Sequence, residues 1–312
     1  MRKKISVTTS CYNEQGNIRE WYERVVSVLK RFPQYDYEIV VGDNCSQDDT
    51  RKILRQIASE DLNFKVIFNS NNFGAARSGY HAFLRGSGDA VVCMCADLQD
   101  PPELIAEFVV QWERGARVVC AVKAVSHEGC WMTWCRRFFY RILSAVSEQH
   151  LIDNFYGFGM YDRCVVEHLR KLNEPAPYFR GLISEIGFRR VELPFEQARR
   201  KAGRSSYNFF SYYDVAMTGI VNHSKLPLRL AVYCGFALAG VSLLVALGYF
   251  ICKLCYWDTF QLGLAPLVIG LFFFSAVQLI FIGIIGEYIG AIWTQVKNKP
   301  LVIEEEKINF DE

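Results

Sequence analysis

The sequence predicts an α/β protein: a mostly parallel sheet covered by helices, then an amphipathic juxtamembrane helix, then a two-helix transmembrane hairpin. Three observations carry this. As far as Val122, short β-branched runs alternate with segments of helical spacing, the pattern of strands joined by helical crossovers. Leu230 to Cys252 and Thr259 to Gly286 contain no charged residue. Between these regions, Tyr207 to Lys225 sets Phe209, Phe210, Tyr212, Tyr213, Met217, Ile220 and Val221 among polar residues.

The elements follow in order. Ile5 to Ser10 is an apolar, β-branched run that fits a buried strand. Asn17 to Arg31 places Ile18, Trp21, Val25, Val28 and Leu29 on one side of a helix. Tyr37 to Val41 is the next strand, Asp43 to Ser46 a turn, and Asp49 to Ser59 a helix. Phe64 to Phe68 is a strand, Ala75 to Leu84 a helix and Ala90 to Cys95 a strand. Pro102 opens a helix that runs to Arg114, since proline at the first helical position costs no hydrogen bond. Val118 to Val122 is a further strand. This divides the chain into an α/β sheet domain over residues 1–206, the amphipathic helix over 207–228, and a hairpin over 229–296 with spans near 230–252 and 262–286. Residues 297–312 are read as a cytoplasmic tail.

A helix rises about 1.5 Å per residue, so each uncharged stretch can cross a hydrocarbon core of about 30 Å. The linker Lys253 to Asp258 is short, which puts both outer ends of the hairpin on one side. Those ends carry Lys225 and Arg229 before the first span and Lys297 and Lys299 after the second. The positive-inside bias places them, and the domain upstream, in the cytoplasm. The aromatic segment before the first span reads either as a helix lying in the headgroup region or as one packed on the soluble domain. Met1 to Lys4 is polar and precedes only a short apolar run, so no secretory signal is expected.

Composition excludes several classes. Of 312 residues, 51% are hydrophobic and 22% charged, which is not a disordered chain. Gly 22 and Pro 9 without a period exclude collagen-like arrays. A net charge of +2 proposes no nucleic-acid partner. The 11 cysteines are odd in number and scattered through apolar runs, as reduced thiols would be. Cys252 and Cys255 form a lone C-x-x-C, and a zinc site needs about four ligands.

Ligands of such sheets bind beyond the C-terminal strand ends. Those ends carry Tyr12-Asn13-Glu14, Asp43-Asn44, Asp97-Leu98-Gln99-Asp100 and Lys123. No G-x-G-x-x-G follows the first strand, and neither a P-loop nor a G-x-S-x-G elbow occurs. Asp97 and Gln99 alternate after an apolar strand, and hard oxygen ligands there suit Mg²⁺ or Mn²⁺ on a diphosphate. Each acidic loop, taken by itself, reads more readily as a capping turn, and the two become informative together because the topology sets them side by side.

Together these stretches resemble the family 2 glycosyltransferases of the polyprenyl-phosphate type, such as dolichol-phosphate mannose synthase and bacterial undecaprenyl-phosphate glucosyltransferases. Thr9-Ser10-Cys11-Tyr12-Asn13-Glu14 resembles the family's P-x-Y-N-E, and Asp43-Asn44-Cys45-Ser46 its D-D-G-S. Asp97-Leu98-Gln99-Asp100-Pro101-Pro102-Glu103 is similar to D-L-Q-D-P-P-E, the most specific of the matches. Arg180-Gly181-Leu182, Arg200 to Ser205 and His223 to Arg229 resemble its F-x-R-G-L, its R-x-x-G-x-S and the segment entering the first span. The resemblance implies a GT-A (Rossmann-like) domain that binds a nucleotide-sugar, a UDP-sugar such as UDP-glucose. Ser10, Tyr12, Asn13, Glu14 and Asp43 would line the nucleotide, and Asp97 and Gln99 would hold Mg²⁺ or Mn²⁺ on the diphosphate. Arg200 would add charge there, and Lys123, Arg136 and Arg137 would meet the acceptor phosphate. Asp97, Lys123 and Arg200 are thereby the expected catalytic set. The implied acceptor is a polyprenyl phosphate in the bacterial inner membrane, the implied product a lipid-linked sugar for cell-envelope or lipopolysaccharide glycans, and the implied assembly a homo-oligomer.

Four departures bear on that reading. Cys95 stands where many members have the first Asp of D-A-D, and a soft thiol is a poor Mg²⁺ ligand. Ser10 replaces the usual proline, and Ser206 a frequent lysine. Gly157-Phe158-Gly159-Met160 replaces D-F-R-L. Two other readings stand beside this one: a polysaccharide-extending family 2 transferase, and a membrane scaffold with an inactive transferase fold.

Overall fold

The computed structural model describes residues 2–124, 152, 154–197, 221, 226–255, 264–297 and 299–310. The chain begins with β1 (Lys4–Cys11), α1 (Ile18–Leu29), β2 (Asp36–Asp43), α2 (Thr50–Glu60), β3 (Phe64–Asn69), α3 (Ala75–Arg85) and β4 (Ala90–Cys93). A 3-10 turn at Pro102–Leu104 leads into α4 (Ile105–Glu113), and β5 (Val118–Lys123) follows. These match the elements expected from the sequence to within a few residues. β4 stops at Cys93 rather than running on to Cys95, because the chain turns there: Cys95 N–H donates to Asp100 Oδ2 at 2.9 Å, and Leu98 adopts φ 60°.

Beyond this point lie β6 (Gly159–Asp162), α5 (Arg163–Leu172), α6 (Phe179–Ile186) and β7 (Arg190–Phe195). Two long helices follow, α7 (Leu226–Cys255) and α8 (Leu264–Lys297), and then β8 (Glu304–Ile308). One eight-stranded sheet runs in the order β7-β5-β6-β4-β1-β2-β3-β8. β1 lies between β2 and β4, parallel to both. β6 is antiparallel to β4 and β5, and β8 is antiparallel to β3. Residues 297–312, read from the sequence as a tail, thus contribute the edge strand beside β3.

Alternation along the strands builds two cores. Val7, Ile39, Val41, Val66, Val92 and Val119 face α1, α2 and α4, with Trp21, Leu54 and Phe108 among the buried contributions. Val91, Val118, Cys120 and Tyr161 face the opposite layer, with Phe83 of α3, Val165 of α5 and Leu182 of α6. Burying a side chain of this size stabilises the fold by about 1.5–3 kcal/mol. Asp162 starts α5 by accepting from Cys164 N–H at 3.0 Å, and Asn173 ends it at φ 46°.

The departure at Gly157 and Gly159 has a packing reason. Gly157 sits at φ 119°, and a Cβ there would lie 2.9 Å from the Phe179 ring. A Cβ on Gly159 would lie 2.3 Å from the Val119 carbonyl of the neighbouring strand. The glycines let β6 fit between β4 and β5.

α7 and α8 are long and apolar enough to cross a membrane. They are apolar all round and expose Phe236, Leu243, Leu271 and Phe272, where a water-facing helix would carry a polar face. The end of α8 touches the sheet domain, with Gln295 Nε2 donating to Glu174 Oε1 at 2.8 Å. Of the expected amphipathic helix, residues 207–220 and 222–225 lie outside the described residues.

Candidate active site

The loops leaving β1, β2 and β4 meet at one end of the sheet, because the register sets Cys11 opposite Asp43 and Thr8 opposite Cys93. Each loop holds a non-glycine residue in the left-handed region: Asn13 at φ 57°, Cys45 at 66° and Leu98 at 60°. Such conformations cost of order 1–3 kcal/mol each and persist where surrounding bonds enforce them. Here Asn13 N–H donates to Ser46 Oγ at 2.9 Å, and Asn13 Oδ1 accepts from Gln47 N–H at 2.8 Å. Glu14 N–H donates to Thr50 Oγ1 at 2.9 Å, and the Glu14 carboxylate accepts from Asn17 Nδ2 at 2.6 Å. Asn13 and Glu14 therefore tie the first loop to the second and to the start of α1. Tyr12 stands out from this frame at 39% exposure, and Ser10 is half-buried in β1 beside Gly79.

Asp43 is fully buried at the end of β2. Its Oδ2 accepts from Arg51 Nε at 2.8 Å and from Ser46 N–H at 3.2 Å. Its Oδ1 is buried and has no hydrogen-bond partner among the described residues. A buried carboxylate oxygen without a donor is costly, so this geometry suits a ligand that supplies an N–H. Asn44 frames the same loop: its Oδ1 accepts from Phe73 N–H at 2.9 Å and its Nδ2 donates to Asn72 at 2.7 Å.

After β4, Asp97 is 9% exposed and its Oδ1 accepts from Gln99 N–H at 3.2 Å. Gln99 Oε1 accepts from Gln197 Nε2 at 3.5 Å. Asp100 is fully buried and accepts from Cys95 N–H and from the Tyr156 hydroxyl. Burial pushes the Asp100 carboxyl up to about 6; the Tyr156 hydroxyl and Cys95 N–H oppose the rise, and the Asp97 charge adds to it. Burial and the Asp100 charge likewise raise Tyr156 far above the usual phenol range, so it stays a donor. Lys123, at the end of β5, stands with its Nζ 5.1 Å from the Tyr156 ring centroid. Tyr156 thus joins the β4 loop to Lys123. Neither Tyr156 nor Asp100 was singled out from the sequence; Asp100 lay inside the quoted motif, and Tyr156 offered no motif of its own.

The profile of the family described as Glycosyl transferase family 2 matches residues 6–170. The chain belongs to glycosyl transferase family 2. Relatives match along nearly all of it. An uncharacterized glycosyltransferase, YkcC, of Bacillus subtilis is 32% identical over 309 residues, 99% of this chain and 95% of its own. The SfII prophage-derived bactoprenol glucosyl transferase of Shigella flexneri is 31% identical over 301 residues, 96% of this chain and 97% of its own. Among solved structures, mannosyltransferase PcManGT of Pyrobaculum calidifontis, in complex with GDP-Man and Mn²⁺, is 18% identical with a TM-score of 0.48. That likeness covers 96% of this chain and 87% of the other. The protein is a glycosyltransferase, and its mixed sheet is GT-A-like.

The transferase's β4 loop can be tested against the divalent metal that the fold family implies. Among the described residues no three acidic, histidine or cysteine side chains form a metal cage. Mg²⁺ needs none, since it keeps waters and binds through one or two carboxylates plus substrate phosphates. Asp97 fits that role as the hard oxygen donor of the β4 loop. Gln99 fits as a second oxygen donor, since its Oε1 has two lone pairs and accepts one bond, from Gln197 at 3.5 Å. Glu103, the last residue of the motif, is structural: it forms a bidentate pair with Arg24 of α1 at 3.0 and 2.8 Å. Arg136, Arg137 and Arg200 lie outside the described residues.

Proposed function

We propose that this glycosyltransferase moves glucose from UDP-glucose to a polyprenyl phosphate at the cytoplasmic face of a membrane, inverting the anomeric configuration. The observation that carries this is the extent of the match to bactoprenol glucosyl transferases, which at 31% identity spans 301 residues, 96% of the chain. The likeness therefore takes in the two apolar helices as well as the sheet domain. A lipid acceptor gives those helices a purpose that a soluble acceptor would not.

Within this reading Asp43 accepts the N3–H of uracil on its unpaired Oδ1, and Tyr12 borders the nucleotide. Asp97 would hold the divalent ion, with Gln99 beside it. When bound, that ion supplies charge neutralisation to the departing UDP. Lys123 faces the acceptor phosphate, with Arg136 and Arg137 as further cations and Arg200 on the donor side. A phosphate monoester is largely dianionic at neutral pH, with a second pKa of about 6. It attacks without a general base, and the chain's task is to position it and balance its charge.

Connectivity supports this orientation. β1 to β7 precede the two apolar helices and β8 follows them, yet all belong to one sheet. That arrangement supports both ends of the hairpin lying on the side of the sheet domain, and the flanking Lys and Arg residues support the cytoplasm as that side.

The test is a donor panel. The full chain in detergent is offered radiolabelled UDP-sugars, undecaprenyl phosphate and Mg²⁺ or Mn²⁺, and label is followed into the organic phase. Glucose transferred to lipid supports the reading. UDP release without labelled lipid overturns the acceptor, and transfer only from a non-uridine donor overturns the nucleotide.

A further inference from the structure

The edge strand β8 does more than close the sheet. Glu305, at its second position, accepts from Arg51 at 2.9 Å. Arg51 Nε is the same group's contact with Asp43 Oδ2 at 2.8 Å, and a guanidinium NH₂ also donates to the Asn69 carbonyl at 2.8 Å. The guanidinium lies 5.1 Å from the Phe68 ring centroid. Arg51 is therefore held on four sides, and its fork fixes which oxygen of Asp43 is left unpaired.

β8 is itself firmly placed. Arg55 forms two bonds to Glu306 at 2.5 and 2.6 Å. Glu304 accepts from Arg85 at 2.6 Å and lies 2.8 Å from His81 Nε2. Asn309 Nδ2 reaches the Ala58 and Phe64 carbonyls at 2.7 and 2.9 Å. The strand begins only a few residues after α8 ends at Lys297.

We propose that Arg51 is a positioning residue for nucleotide recognition, and that the strand following the second apolar helix completes its clamp through Glu305. The inference rests on the reading of Asp43 as the group that meets the base. A carboxylate pinned on one oxygen presents the other in a fixed direction, so binding loses little to reorientation. Replacing the fork by a lysine point charge keeps the sign of the charge and loses the geometry. The effect belongs to donor binding, which is made equally in ground and transition states, so it shows in KM for the donor rather than in kcat.

The experiment uses full-length protein in detergent, with donor concentration varied at saturating undecaprenyl phosphate. Arg51→Ala is expected to raise donor KM by up to about tenfold, because Asp43 loses the contact that aims its unpaired oxygen at the base, with kcat changed less than about twofold. Arg51→Lys is expected to fall between, and Glu305→Gln to raise donor KM about two- to threefold. The lipid KM stays unchanged in all three. In an Asp43→Asn background, Arg51→Ala adds nothing further. Unchanged donor KM in a folded Arg51→Ala protein overturns the inference, and so does an Arg51→Ala effect of full size in the Asp43→Asn background. If Arg51→Ala does not fold, unchanged donor KM in both Arg51→Lys and Glu305→Gln overturns it. Asp43→Asn without effect on donor KM removes the base-reading premise itself. A raised KM in Asp43→Asn with none in Arg51→Ala leaves that premise intact and overturns this inference alone.

Discussion

Asp43→Asn is the substitution whose consequence the geometry determines most fully. The wild-type carboxylate accepts from two donors on Oδ2, Arg51 Nε at 2.8 Å and Ser46 N–H at 3.2 Å, and keeps Oδ1 for a third. Asparagine has one acceptor oxygen and one NH₂ donor. If its oxygen stays toward Arg51 and Ser46, its NH₂ meets the N3–H of uracil, donor against donor. If the amide flips, the clash moves to Arg51 and Ser46. Either way one hydrogen bond involving a charged group is lost, about 1.5–3 kcal/mol, or roughly 10–100-fold in affinity. Cytosine N3 is an acceptor, so the first orientation suits CDP. Calorimetric titration of UDP and CDP into the full chain in detergent reads both. The expected outcome is UDP weakened by about 10–100-fold and a UDP/CDP preference shifted toward CDP. UDP affinity within about twofold of wild type would refute the assignment of Oδ1 to the base.

Other outcomes follow from the same structure. Gly159→Ala puts a Cβ 2.3 Å from the Val119 carbonyl, and should cost about 3 kcal/mol or more by chemical denaturation; a wild-type midpoint would show that β6 does not thread between β4 and β5. Asp100 carries a folded pKa of about 6 against an ordinary 3.8, so it disfavours the folded state increasingly as pH rises between about 4 and 6, and fully above that. Asp100→Asn removes this term, so the variant's stability relative to wild type should climb over that window; a difference flat with pH contradicts the buried carboxyl. Lys123→Ala should raise the apparent KM for polyprenyl phosphate about tenfold and leave the donor KM nearly unchanged; the reverse pattern argues against a role at the acceptor.

Much of the fold was legible because its signals are local. β1 to β5 are apolar runs, and α1 shows Ile18, Trp21, Val25, Val28 and Leu29 on one face both in sequence and in the structure. β8 was not legible, since Glu304-Glu305-Glu306-Lys307-Ile308 has one apolar residue and becomes a strand through partners far away, Arg55, Arg85 and the edge of β3. β6 is four residues long with a glycine at its start, and its place between β4 and β5 depends on contacts that no sequence window contains. In the candidate site, Asp43 and Asp97 are readable as candidates from their type and their position at strand ends. Arg51 and Tyr156 are not, because what marks them is what they touch.

The central claim, sugar transfer from a uridine donor to a lipid phosphate through the Asp97 loop, is tested most directly by one comparison. Wild type and Asp97→Ala are incubated with radiolabelled UDP-glucose, undecaprenyl phosphate and Mg²⁺, and the organic phase is counted. The expected result is metal-dependent labelled lipid from wild type and a loss of about 10²-fold or more in a folded Asp97→Ala protein. Label confined to the aqueous phase for wild type, or an Asp97→Ala protein as active as wild type, would contradict the account.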